Sequence, residues 1–145
     1  MKKICLSLVL LLLLMAGCKT AKDKTLTCIW DGGDVTVDYS FVGEKPVKTI
    51  VLKAVADYTY YGFTSIEEFE ENKEEFTEVF AKYFYTRGGG EVEVYAEGDN
   101  IVGILTIAGA DFDFSVVIDE TDVNKVTFAM LQESAEASGL TCEIQ

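Results

Sequence analysis

The stretch TLTCIWDGGDVTVDYSFV, residues 25–42, constrains the fold more than any other part of the chain. Two runs of alternating apolar and polar residues flank a Gly-Gly pair, which is the pattern of a β-hairpin. With Gly32-Gly33 as a two-residue turn, Asp31 faces Asp34, and the next same-face pairs are Trp30 with Val35, Cys28 with Val37 and Leu26 with Tyr39. That register puts every large apolar residue on one face and leaves Thr25, Thr27, Thr36 and Asp38 on the other. One face of the ribbon therefore needs a cover, and the rest of the chain must supply it.

Residues 43–46 read as a second turn and VKTIVLKAVAD as a third strand. Thr64-Ser65 then announces a helix, with Ser65 and Glu68 at capping-box spacing. Its apolar stripe is Ile66, Phe69, Phe76, Val79, Phe80, Tyr83 and Phe84, and Arg87 with Gly88-Gly89-Gly90 ends it. EVEVYAE, IVGILTI and FDFSVVID read as three more strands, the first two joined at Gly98-Asp99. A second helix is expected after Thr121-Asp122, with Val126, Met130 and Leu131 turned inward and Gly139 as its stop. Leu140 to Gln145 then form a last short strand. The order is βββα-βββα-β: an α+β fold whose mainly antiparallel sheet is packed by two helices, in one domain over 25–145.

Ahead of that domain, Lys2 and Lys3 precede an apolar run from Ile4 to Met15 that only Ser7 interrupts. A bilayer-spanning helix needs about 20 apolar residues, so the run has the length of a signal-peptide core. It ends Met15-Ala16-Gly17-Cys18, which resembles the lipobox of bacterial lipoproteins. The resemblance implies removal of residues 1–17, a diacylglycerol on the Cys18 thiol, acylation of the new amino group and a lipidated tether over 18–24. Export follows, with anchorage to a bacterial membrane through Cys18. Lys19 is not the Asp that favours inner-membrane retention, so in a two-membrane host the outer membrane is expected. The alternative is an ordinary signal peptide with a chance cysteine.

Charge narrows the partners. The chain carries 12 basic and 25 acidic residues, no histidine and a net charge of −13. Losing Lys2 and Lys3 with the leader leaves ten basic residues and a charge of −15. Nucleic acid is not an expected partner, because phosphate contacts need clustered Lys and Arg. Ser-His-Asp and Cys-His catalysis and HExxH zinc sites have no imidazole to work with. No cofactor is expected. Of four cysteines, Cys5 leaves with the leader and Cys18 takes lipid, so Cys28 and Cys142 remain in an exported chain. Each sits at an apolar position of its strand, and if the first and last strands are neighbours a disulfide joins them. Two reduced thiols packed as small hydrophobes are the alternative.

The stretches YSFVGEKPVK, GFTSIEE, EVEVYAEGDN and LQESAEASGLTCEI together resemble the YehR-like bacterial lipoproteins. The resemblance covers most of the mature chain and departs at Pro46, in the run ADFDFSVVID and at Leu140. It implies the α+β fold and the envelope location, and carries no activity with it.

The remaining candidates for chemistry are acids and aromatics. Asp111 with Asp113, or Glu91 with Glu93, have the spacing of a carboxylate pair, which supports an envelope hydrolase of glycosidase type as the alternative function. The polar face of a strand places acids in the same way without catalysis. Tyr58, Tyr60, Tyr61 and Phe63, and Tyr83, Phe84 and Tyr85, either stack on a sugar or peptide or pack the first helix to the sheet. Glu71, Glu74 and Glu75 belong to an acidic helix face that is either solvated or a partner surface. The leading reading is a lipid-anchored envelope protein acting as a non-catalytic binding or structural module, its partner an envelope protein or a glycan.

Overall fold

A computed structural model describes residues 23–83 and 90–145. The leader, Cys18, most of the expected tether, Phe84, Tyr85, Arg87, Gly88 and Gly89 lie outside the described residues. Among the described residues six strands form one antiparallel sheet in the order β4-β5-β3-β2-β1-β6. They are β1 (Thr25–Asp31), β2 (Val35–Val42), β3 (Thr49–Asp57), β4 (Glu91–Glu97), β5 (Asn100–Ala108) and β6 (Thr141–Ile144). Three α-helices accompany them: α1 (Ile66–Glu71), α2 (Lys73–Tyr83) and α3 (Phe128–Ala137). The fold is mixed α+β and mostly sheet.

Because side chains alternate across a strand, the register sorts the core into rows on one face. Leu26, Phe41, Ile50 and Ile107 form one row, Cys28, Tyr39, Leu52 and Leu105 the next, and Trp30, Val37, Ala54 and Gly103 the third. Two clusters grow on this face. Phe114, Val126, Phe128 and Leu131 close over Leu26, Cys28, Phe41 and Ile50. Phe69 and Phe80 close over Leu52, Ala54, Val94, Ile101 and Leu105. Tyr39 and Phe112 pack against both clusters. Each large apolar side chain buried here contributes about 1.5–3 kcal/mol relative to exposure.

The expected neighbours are real. β6 pairs with β1 so that Cys28 lies directly opposite Cys142, Cα to Cα 4.1 Å, and the two form a disulfide. The β4–β5 turn also falls at Gly98-Asp99, since Glu97 pairs with Asn100.

Several expectations need correction. The first hairpin turns one residue later than expected, at Gly33-Asp34: the Gly32 N–H donates to the Val35 carbonyl, Asp31 pairs with Thr36, Trp30 with Val37, Cys28 with Tyr39 and Leu26 with Phe41. A shift of two residues preserves facing, so the apolar face survives although the partners change. The first helix is broken at Asn72, whose side-chain amide donates to the Glu68 carbonyl, and α2 restarts at Lys73. Ser65 caps α1 by accepting from the Glu68 N–H, but the Glu68 carboxylate reaches Thr64 rather than Ser65, accepting from its N–H and hydroxyl. FDFSVVID is not a strand, so the described residues form six strands rather than seven. β5 is already paired on both sides, and Asp113 accepts from the Ser115 N–H and hydroxyl, which folds Phe114–Val116 into a 3-10 turn. Phe112 and Phe114 enter the core instead, their rings 4.9 Å apart. Asp122 caps only a 3-10 turn over Val123–Lys125, and α3 starts later, where the Thr127 hydroxyl accepts from the Met130 N–H. Of the tether, Asp23 and Lys24 are held: Asp23 pairs with Lys48 at 2.8 Å, and the Gly43 N–H donates to the Lys24 carbonyl.

Candidate functional site: an apolar cleft between the helical units

Cover is incomplete over the third row, and the reason is local. α3 ends at Ala137, Ser138 caps it, and Gly139 takes a φ of 89°, a left-handed conformation that favours glycine and turns the chain back into β6. The helix thus seals Leu26, Cys28, Phe41 and Ile50 and stops short of Trp30 and Val37. From the other side, the Phe80 ring of α2 lies on Gly103, where a Cβ would come within 2.4 Å of it. Neither unit covers the surface between.

What remains is a cleft of about 560 Å³. Val35, Val37, Tyr39 and Ala54 form its floor, Tyr61, Phe76, Val79 and Phe80 one wall, and Ser138 and Leu140 the other. The floor is deep because the inward side chains of β3 shrink along the strand, from Ile50 and Leu52 to Ala54 and Ala56. The wall is stiffened by rings in edge contact, Tyr60 on Tyr61 at 5.2 Å, Tyr61 on Phe76 at 4.9 Å and Phe69 on Phe76 at 5.7 Å. Trp30, Tyr60 and Val79 stand at the mouth, 39%, 53% and 55% exposed. Scattered exposed hydrophobes are ordinary, but three around one apolar cavity are not scattered.

Two further spaces share lining residues with it. A cavity of about 200 Å³ runs between α3 and the sheet, past Cys28, Phe41 and Leu131, and shares Tyr39, Ser138 and Leu140 with the cleft. A polar depression of about 570 Å³, lined by Asp34, Thr36, Asp57, Thr59 and Asn100, shares Tyr60 with the cleft at the end of the sheet, with Thr36 on the face opposite Val37.

The electrostatics are one-sided. Among the described residues no charged side chain lines the cleft, and no Lys or Arg lines either neighbour. Burial, reinforced by Tyr60, pushes the Tyr61 hydroxyl above its ordinary value, so it stays neutral. The Thr59 hydroxyl and N–H donate to Asp57 at 2.6 and 2.9 Å and hold its carboxyl below the ordinary value, so it stays ionised. Among the described residues no group of three or more Asp, Glu or Cys side chains is placed to hold a metal ion. The cleft offers an apolar body with hydroxyls at its edge, which suits retention of an apolar ligand.

The sequence-derived candidates fall elsewhere. Cys28 and Cys142 are joined, and Cys18 is outside the described residues. Glu71 ends α1, Glu74 and Glu75 open α2, and all three are exposed. Lys73 pairs with Glu70 at 3.7 Å, whereas Lys82 forms no ion pair with Glu78. Asp113 is buried and capping while Asp111 is exposed, and Glu91 and Glu93 are exposed on the edge strand β4; neither pair lines the cleft. Of the aromatics, Tyr58, Tyr61 and Phe63 pack into the core and Tyr60 stands at the mouth. Sequence reasoning missed Val37, Ala54 and Leu140 as cleft residues. The available signal was the pair of alanines ending the apolar alternation of β3.

No family model and no curated protein matches the chain. Among solved structures, it is similar to the NMR structure of the E. coli YehR protein, at 15% identity and a TM-score of 0.56, over 83% of this chain and 89% of that one. At that identity the likeness is one of fold.

Proposed function

We propose that the protein is a lipid-anchored lipoprotein of the bacterial cell envelope, held through Cys18, that binds an apolar ligand in the cleft between α2 and the end of α3. The observation that carries the binding reading is the apolar cleft with Trp30, Tyr60 and Val79 exposed at its mouth. Its volume lies within the roughly 300–1,000 Å³ of small-molecule sites. The leader and lipobox-like ending support the anchorage. β1 runs from the tether toward Trp30, five residues on, or about 17 Å at strand rise, so the cleft faces away from the anchored end of the domain. A ligand then reaches it from the aqueous side of the envelope.

Two measurements test this. A naphthalene dye that brightens in apolar sites should bind the full chain at one saturable site and lose that site in Ala54→Leu, which fills the floor. Dye binding that Ala54→Leu leaves intact overturns the cleft as the site. Mass spectrometry of the protein from its native envelope should find a chain that begins at acylated Cys18, and an unmodified Cys18 overturns the anchorage.

A further inference from the structure

We infer that the ligand is a long-chain amphiphile whose tail occupies the cleft and whose head, uncharged or cationic but not anionic, lies over the polar depression beyond Tyr60. The inference rests on the cleft being the binding site and adds the chemistry of what fills it.

Shape argues for a tail. The main cleft and the narrower cavity under α3 share Tyr39, Ser138 and Leu140, so the apolar space is elongated and bent. A flexible chain can follow such a path, whereas a compact ring system fills only the wider chamber. Val116, 53% exposed, lines the far cavity as Trp30 lines the near one, so apolar side chains run from one opening to the other.

Charge argues for the head. A ligand whose head turns the end of the sheet at Tyr60 meets Asp34 and Asp57, with Thr59 and Asn100 as neutral hydrogen-bonding groups and Thr36 on the sheet face opposite Val37. Asp57 stays ionised because its bonds from Thr59 favour the carboxylate. Among the described residues no basic side chain lines any of the three spaces, so a head of net negative charge meets only like charge there. An ammonium meets two carboxylates, and the exposed Tyr60 ring offers a face for cation–π contact.

The test uses the single tryptophan, Trp30, as its reporter. The full chain is held in a phosphatidylcholine nanodisc. Trp30 emission is followed against four probes of equal chain length, each below its micellar concentration: dodecyltrimethylammonium, dodecylphosphocholine, dodecyl maltoside and dodecanoate. All but dodecanoate should change the emission saturably, with the ammonium probe binding at least about 10-fold more tightly than dodecanoate. Ala54→Leu should abolish the response, and so should Val79→Asp, an exposed position where folding is not at stake. Asp34→Asn should bring the ammonium probe close to the maltoside while leaving the maltoside unchanged. Dodecanoate binding as tightly as the ammonium probe overturns the head assignment. So does a Glu71→Gln/Glu74→Gln/Glu75→Gln variant that weakens the ammonium probe as much as Asp34→Asn, since the preference is then a generic response to negative charge. Binding of the naphthalene dye but of no dodecyl probe overturns the tail and leaves the cleft reading standing. No response that Ala54→Leu removes, from dye or amphiphile, overturns both.

Discussion

Leu26, Phe41 and Ile50 lie on the same face of the same three strands as Trp30, Val37 and Ala54, yet the first row is sealed and the second is open. Four residues separate the rows along β1, about 13 Å. Two things change over that distance. The side chains of β3 shrink from Ile50 to Ala54, and the helix above them ends at Ala137. A sheet face therefore does not choose between core and site; the length of the covering helix and the size of the side chains beneath it do. The sealed end has a disulfide across it, and the open end has a mouth of exposed Trp30, Tyr60 and Val79.

The largest expected effect breaks the sealed end. Replacing Cys28 and Cys142 together by Ser removes a cross-link over 114 residues. The chain-entropy model then predicts a loss of about 4–5 kcal/mol. Urea unfolding should record it as a lowered midpoint, and because β6 leads back to Leu140, the dye site should weaken in the same variant. A loss under about 1 kcal/mol means that packing alone seals this end.

A smaller contrast sharpens the comparison directly. Leu26→Ala, at a fully buried position, should cost about 2–5 kcal/mol, and Val79→Ala, at the cleft mouth, less than about 0.5. Ala54→Leu should stay within about 1.5 kcal/mol of the parent because the cleft has room for the added carbons. If Ala54→Leu costs as much as Leu26→Ala, the floor is packed and the two rows are alike.

The sheet was more legible in the sequence than the cleft, for physical reasons. Alternation fixes which face a residue takes, and a slip of two residues in the first hairpin left every face unchanged while altering each partner. Cys28 and Cys142 were legible because each sits at an apolar position of its strand and β6 falls beside β1. FDFSVVID misled because period two is also what a short loop shows when Phe112 and Phe114 both reach into the core. The cleft depends on what is missing above Val37 and Ala54, and absence of a covering side chain has no local pattern. Only the alanines of β3 and an exposed aromatic at the end of β1 hinted at it.

Acid should loosen the start of α1 and the 3-10 turn over Val123–Lys125. Hydrogen bonds from Thr64 hold the Glu68 carboxyl below its ordinary 4.5, and bonds from Asn124 do the same for Asp122 against 3.8. Carboxyls lowered in the folded state add stability that is fully present above the unfolded values and is lost as pH falls through the folded ones. Thermal stability should therefore be flat near neutrality and decline below about pH 4 to 5. Glu68→Gln should make that decline shallower, and an unchanged pH profile in the variant removes Glu68 from the account.

The smallest effect concerns the wall of the open end, and its sign is informative. In one continuous helix, Glu70 with Glu74, Glu71 with Glu75 and Glu74 with Glu78 are like-charge pairs four apart, each costing about 0.2–0.5 kcal/mol. The break at Asn72 divides them, so that of these three pairs only Glu74 with Glu78 lies within a single helix, while Glu67 with Glu71 is a like pair within α1. Glu71 then sits at the C-terminal end of α1, where a carboxylate opposes the helix dipole, and Glu74 and Glu75 sit in the first turn of α2, where carboxylates favour it. Glu71→Gln should leave stability equal or raise it by up to about 0.5 kcal/mol, whereas Glu74→Gln with Glu75→Gln should lower it by about 0.3–1 kcal/mol. Both differences should shrink in about 1 M salt, where the Debye length is near 3 Å. If all three replacements raise stability alike, like-charge repulsion along one helix outweighs the dipoles. The aromatic wall of the cleft is then carried by one continuous rod rather than by two helices meeting at Asn72.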